Sequence, residues 1–112
     1  MNLIFSKNKY DDIFKFGIDY FNSMNFHSAH NAWERIWKDG AQKDRKKIKG
    51  FIQLTGAIIN NKRGKSKAAK YLIKKAIENI SKNNFKCVLD QDKLINDIEY
   101  LNKKGKISII LY

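Results

Sequence analysis

The sequence predicts an all-α fold, a compact array of about five helices with an extended apolar C-terminal tail. Apolar residues recur at three- and four-residue spacing over most of the chain, and proline, which breaks helices, is absent. The 112 residues are the size of one domain, so residues 1–112 are predicted to form a single helical domain with one modest core.

The first two helices are predicted near Asp11–Met24 and Ser28–Lys38, where the apolar residues follow a helical period. Acidic residues at the start of the first helix suit the positive end of the helix dipole. Asn25 interrupts the pattern between the two helices, and the second helix is expected to stop around Gly40.

The third predicted helix, Lys43–Lys62, is apolar over a broad face, so it is expected to be the central and most buried helix. After a turn at Arg63-Gly64, Ser66 is a candidate N-cap for a fourth helix, which a short turn places antiparallel to the third. A fifth helix is predicted over Asp90–Lys103, with Asp90 as its cap.

The C-terminal segment Lys106–Tyr112 has a different composition from the helices. Its branched apolar residues favour extended structure, and no second strand is predicted to pair with it. The segment either packs along the helices as an arm or pairs with another chain. The second arrangement predicts a homodimer.

The formal net charge of +12 at pH 7 has two interpretations, and one of them is attraction to an anionic partner such as nucleic acid, an acidic protein or a phosphorylated metabolite. The alternative is a drift of composition towards residues with A/T-rich codons, which leaves a solvated charged surface. The aromatic residues are expected on apolar faces, not among the lysines, and no known nucleic-acid motif is present. Two basic clusters are the candidate contacts with an anion: Lys43, Arg45, Lys46 and Lys47, where the third helix begins, and Lys62, Arg63, Lys65 and Lys67.

The single cysteine, Cys87, excludes an internal disulfide and fits a reducing compartment. It lies in an apolar stretch, so it is expected to be a small core residue and not a nucleophile. No apolar run approaches the roughly 20 residues of a membrane span, and none resembles a signal peptide. The sequence therefore predicts a cytoplasmic protein, or one in an organelle interior, without a membrane partner.

The segment Phe26–Trp37 contains both histidines and both tryptophans of the chain. Residues three and four apart share a helix face, so His30 and Glu34 form a predicted acid/base pair beside a tryptophan stripe. A glutamine flanked by apolar residues on the third helix is a candidate partner for this pair. The predicted binding residues are His27, His30, Asn31, Trp33, Glu34, Trp37 and Gln53.

Three interpretations of this pair stay open at the level of sequence. His30 and Glu34, with His27 as a third ligand, could hold a divalent metal. The same pair is the best candidate for general acid/base catalysis without metal. In the third interpretation His30 bonds to Glu34 or to a backbone carbonyl, and Gln53 pairs with that group as a buried amide, in a polar network that fixes the register of two helices.

One pattern resembles a known family. It reads Phe26-x-x-Ala29-His30-x-x-Trp33-Glu34-x-x-Trp37, followed by Gly50-Phe51-Ile52-Gln53. It is similar to the A-H-E-x-x-E-x-x-W signature and the G-L-I-Q element of the small bacterial helical proteins called domain of unknown function 309. The similarity covers a core near residues 14–80.

The resemblance implies a compact all-α array and, through a label often given to the family, a metal-dependent hydrolase. In this sequence Asn31 follows His30, where the family usually has glutamate, and the loss of that carboxylate weakens the expectation of a metal. The leading hypothesis is therefore a non-catalytic binding or adaptor protein. The alternatives are the metal-dependent hydrolase and a basic module associated with nucleic acid, and enzymatic activity stays open.

Overall fold

A computed structural model describes residues 3–101 and 106–112 of the chain, and these residues form an all-α fold. The predicted fold class is confirmed. The five helices of the described ranges are α1 over Asn8–Asn22, α2 over Phe26–Asp39, α3 over Gln42–Lys62, α4 over Ser66–Ser81 and α5 over Gln91–Glu99.

The first and fifth helices have other bounds than predicted, and Ser66 is the first residue of α4 and not its N-cap, which is Lys65. The first helix begins at Asn8 and ends at Asn22, before Met24, whose φ of 64° lies in the left-handed region and cannot continue a helix. The fifth helix ends at Glu99, and the predicted end at Lys103 lies outside the described residues. Asp90 does cap α5, because its side chain accepts a hydrogen bond from the Lys93 N–H.

Consecutive helices pack against each other: α1 on α2, α2 on α3, and α3 on α4, with a smaller contact between α4 and α5. The connections at residues 23–25, 40–41 and 63–65 are short, so successive helices run antiparallel. This order brings the turn before α2 and the turn before α4 to the same end of the molecule. None of the helices that the structure describes is long and apolar enough to cross a membrane.

The core is built on buried aromatic rings from different elements. The ring of Phe51 on α3 lies 5.0 Å from that of Phe14 on α1, 5.4 Å from that of Trp33 on α2, and 5.2 Å from that of Phe85. The interplanar angles range from 62° to 90°, which are the edge-to-face geometries that aromatic pairs favour. The central position predicted for α3 follows from these contacts.

Trp33 is seated on a glycine of the neighbouring helix. Its indole N–H donates to the carbonyl oxygen of Phe14 at 3.1 Å, and the whole residue is buried. A Cβ atom built on Gly17 would lie 2.1 Å from the indole nitrogen. Because no side chain fits in that space, glycine at this position allows α1 and α2 to approach closely.

Two buried aspartates hold the segment that precedes α1. Asp11 accepts hydrogen bonds from the N–H groups of Ile4 and Phe5, at 3.0 and 2.7 Å. Asp44, near the start of α3, accepts from the Ser6 N–H at 2.7 Å, from the Ser6 hydroxyl and from the Ala41 N–H at 3.0 Å. The N-terminal segment is thereby attached to both α1 and α3.

Residues 106–112 lie along the helices of the same chain. Ile107 and Ile109 are buried, and the Asn22 side chain bonds to both the N–H and the carbonyl of Ile109, each at 2.8 Å. The Tyr112 N–H donates to the Val88 carbonyl oxygen at 2.8 Å. Ile107 and Ile109 are thus packed within the chain, whereas Ile110 and Tyr112 are exposed, and the homodimer stays a prediction.

Replacing Gly17 with alanine is expected to destabilise the fold by about 1–3 kcal/mol, because the new methyl group overlaps the Trp33 ring. Urea unfolding followed by circular dichroism measures the change. Gly56→Ala is the matched control, since its Cβ would meet only the end of the flexible Leu72 side chain, at 3.2 Å. Equal free energies of unfolding for the two variants would contradict the packing of Trp33 against Gly17.

Replacing Asp44 with asparagine is expected to cost about 1–3 kcal/mol near neutral pH, because charged hydrogen bonds to buried N–H groups are lost. Burial raises the pKa of Asp44, but the hydrogen bonds from Ser6 and Ala41 and the charge of Lys43 together outweigh it. The pKa therefore lies below its usual 3.8.

A lowered pKa in the folded state means that Asp44 stabilises the fold above pH 3.8, its value in the unfolded chain, and that this contribution disappears as the pH falls through the folded value. The stability gap between the wild type and Asp44→Asn should therefore narrow below about pH 3.8 in urea titrations. A gap that widens on acidification would contradict the assignment.

Candidate functional site

Helix α2 has two faces with different roles. Ala29, Trp33 and Ile36 are buried and face the core, whereas His30, Glu34 and Trp37 are half-buried on the adjacent face, beside α3. The side chains of His30 and Glu34 are 30% and 33% exposed. The face with His30, Glu34 and Trp37 is therefore accessible to a ligand, whereas the face that packs on the core is not.

The structure joins His30 to residues on both helices. His30 Nε2 lies 3.2 Å from Glu34 Oε1 one turn later on α2, which confirms the predicted proximity of the pair. On its other side, His30 Nδ1 lies 2.8 Å from Thr55 Oγ1 on α3. The Thr55 hydroxyl also lies 2.7 Å from the Ile52 carbonyl oxygen, so it links the imidazole to the backbone of α3.

A hydroxyl, an imidazole and a carboxylate in sequence also occur in hydrolases that use a serine or threonine nucleophile. A nucleophile must reach the substrate, however, and Thr55 is fully buried within α3. The accessible part of the arrangement consists of the imidazole and the carboxylate. The geometry therefore orients the His30 ring and links α2 to α3, without presenting an attacking group.

Next to this pair the surface has a hollow of about 190 Å³ between α2 and α3. The apolar part of the hollow consists of Trp37 and Ile52. The Glu34 carboxylate, the Lys49 ammonium and the Gln53 amide surround it. Arg45 fixes the tryptophan: its Nε donates to the Trp37 carbonyl oxygen at 2.9 Å, and its guanidinium lies 5.8 Å from the ring centroid. The lining residues are Glu34, Trp37, Lys49, Ile52 and Gln53.

Several predicted binding residues lie elsewhere. Trp33 is fully buried and contacts only the core, so its assignment to the binding surface is wrong. His27 and Asn31 are exposed, and His27 lines a separate hollow near the α1–α2 turn. Gln53 does not bond to His30: its Oε1 accepts a hydrogen bond from Asn79 Nδ2 on α4 at 2.7 Å.

Thr55 and Asn79 are the polar partners that the sequence reasoning missed. Thr55 falls on the apolar face of the third helix, and a polar residue on an apolar face was the signal available in the sequence. Cys87 also departs from expectation, because it is exposed and not a core residue. It lines a different cleft, beside Asn8 and Asp12 of α1.

The donor set does not fit a catalytic metal. Such a site takes about three protein ligands, and no group of three or more His, Cys, Asp or Glu side chains converges within residues 3–101 and 106–112. Both ring nitrogens of His30 already have partners within the protein. His27 does not join the pair.

Two residues of the first basic cluster, Arg45 and Lys47, make internal contacts. The Asp44 carboxylate occupies the start of α3, where an anion was predicted to bind, and it would repel a second negative charge. Lys47 donates to the Ile4 carbonyl oxygen, and Arg45 to that of Trp37. The second cluster, which begins at Lys62, is exposed, and the Lys62 ammonium lies 4.7 Å from the Phe26 ring centroid.

Replacing His30 with alanine is expected to leave the number of bound zinc ions per protein molecule unchanged, because the His30–Glu34 pair lacks a third ligand. Equilibrium dialysis followed by elemental mass spectrometry measures it. His27→Ala is the control for weak binding by an exposed imidazole. Loss of about one equivalent of zinc in His30→Ala alone would contradict the geometry.

Of three comparisons with known proteins, one gives a match. No curated protein matches the chain, and no solved structure matches it either. The model of a family described as a domain of unknown function (DUF309) matches residues 14–72, more than half of the chain and all of α2 and α3. The protein therefore belongs to the DUF309 family.

Proposed function

We propose that this protein is a non-catalytic binding domain, an adaptor that recognises a protein segment with the surface between α2 and α3. The observation that carries the proposal is the hollow around Trp37, which combines an accessible apolar surface with fixed polar groups. Binding surfaces of this kind are enriched in tryptophan and arginine. The binding surface is defined here as Glu34, Trp37, Lys49, Ile52 and Gln53, with His30 at its edge.

The size of the hollow indicates the kind of ligand. Small-molecule and cofactor sites occupy roughly 300–1,000 Å³, whereas this hollow measures about 190 Å³ and opens to solvent. It has room for one large apolar side chain. An extended or helical segment of another protein can supply that side chain and place polar groups against Glu34 and Lys49.

The surface is preorganised. Arg45 bonds to the main chain of Trp37 and lies beside its ring, Asn79 bonds to Gln53, and Thr55 bonds to His30 on the side away from Glu34. A partner therefore orders few side chains of this domain when it binds, which lowers the entropic cost of association. The hydrolase alternative has weaker support, since the hydroxyl beside His30 is buried and the metal ligands do not converge.

A photo-crosslinking amino acid at position 49 is expected to capture a discrete partner in cells. The same group at Lys38, which is exposed and follows Trp37 on α2, is the matched control and should capture none of that product. Trp37→Ala should remove the product because truncation of a central interface tryptophan costs about 2 kcal/mol or more, whereas Trp37→Phe should retain it.

Circular dichroism of both Trp37 variants shows whether the domain stays folded. Identical products from positions 49 and 38, or a product that survives Trp37→Ala in the folded variant, would contradict the proposal.

A further inference from the structure

The outer face of α4 carries lysines on every side of one exposed tyrosine. Tyr71 is 61% exposed, and Lys67, Lys74 and Lys75 lie one turn from it in the helix. We propose that this lysine–tyrosine face binds single-stranded nucleic acid, with phosphates on the lysines and a base stacked on the tyrosine. The face is defined as Lys67, Lys70, Tyr71, Lys74 and Lys75.

Three of the four lysines of this face have no neutralising carboxylate among the described residues. The sequence between Asp44 and Glu78 contains no aspartate or glutamate. Within the described residues, Lys67, Lys70 and Lys74 have no carboxylate at ion-pair distance, and Lys75 has only an exposed one, Glu78 at 3.5 Å. Contact of these lysines with the phosphates of a polyanion would release the cations condensed on those phosphates, which is a main source of affinity for nucleic acids.

The exposed tyrosine distinguishes this face from an ordinary solvated surface of lysines. Tyr71 is not required by the core, since its ring extends into solvent, and Lys75 Nζ lies 5.7 Å from the ring centroid. Exposed aromatic rings among cations are the stacking platforms of proteins that bind single strands. In a duplex the bases are already stacked, so Tyr71 favours a single strand. The sequence predicts the aromatic residues on apolar faces, away from the lysines. Tyr71 contradicts this prediction, because it is exposed among the lysines of α4.

The adjoining turn extends the surface. Lys62, Arg63 and Lys65 are exposed in and beside the connection that precedes α4. Lys62 lies over the Phe26 ring, and both line a hollow of about 190 Å³ with His27 and Arg63. A strand that runs along α4 towards this turn would meet further cations and a second aromatic ring. Lysine predominates over arginine here, which favours contacts to phosphate over sequence readout.

This inference is independent of the proposed function, because the lysine–tyrosine face shares no residue with the binding surface between α2 and α3. Fluorescence anisotropy with a labelled oligouridylate of about twelve nucleotides tests it. Binding is expected at low salt, with a dissociation constant that rises on the order of tenfold or more when the salt increases about fourfold. A duplex RNA of equal length should bind more weakly.

Matched variants distinguish binding by this face from attraction by the net charge of the protein. Tyr71→Ala should weaken binding on the order of tenfold, and Tyr71→Phe should retain it. Tyr20→Ala, at another exposed tyrosine, should have no effect. The double variant Lys67→Gln with Lys74→Gln should reduce the salt dependence, whereas Lys15→Gln with Lys38→Gln, which removes the same charge from α1 and α2, should not.

The proposal is overturned by three results. The first is no binding of the oligonucleotide at low salt. The second is equal losses in the face variants and their controls, which would indicate attraction by net charge alone. The third is tighter binding to the duplex, or to phosphatidylglycerol vesicles in place of the oligonucleotide, which would identify a different polyanion.

Discussion

The arrangement of this domain depends on the packing of one indole ring against one glycine. Trp33 occupies the space that the absent side chain of Gly17 leaves on α1, and its N–H bonds to a carbonyl of the same helix. This contact fixes the rotation of α2 about its own axis. Because residues on a helix have fixed angular relations, the buried position of Trp33 determines which residues of α2 point away from the core.

The rotation of α2 divides the family motif between two roles. The first tryptophan belongs to the core, whereas Trp37, His30 and Glu34 lie on the accessible side, next to α3. Thr55 and Asn79 then hold the polar groups of that side in place from α3 and α4. The motif thus combines, on one helix, a core residue and the accessible side chains for which we propose a binding role.

Periodicity was sufficient to predict the helices and the proximity of His30 to Glu34, because both follow from the geometry of a single helix. Periodicity does not predict which residues of two different helices contact each other. The partner of His30 is Thr55 and not Gln53, which lies two positions earlier on α3, and which of the two side chains faces α2 depends on the rotation of α3 about its axis. The burial of Trp33 and the exposure of Tyr71 likewise depend on which neighbouring helix covers each face, and a sequence pattern does not specify this.

Exchange of the two indole N–H groups, followed by nuclear magnetic resonance in deuterated water, tests the central claim most directly. Trp33 is buried with a bonded N–H, whereas Trp37 is half-buried and its N–H has no hydrogen-bond partner among the described residues. The account predicts that the Trp33 signal persists until the domain unfolds globally and that the Trp37 signal is lost rapidly. Rapid loss of both signals from the folded protein would contradict the account.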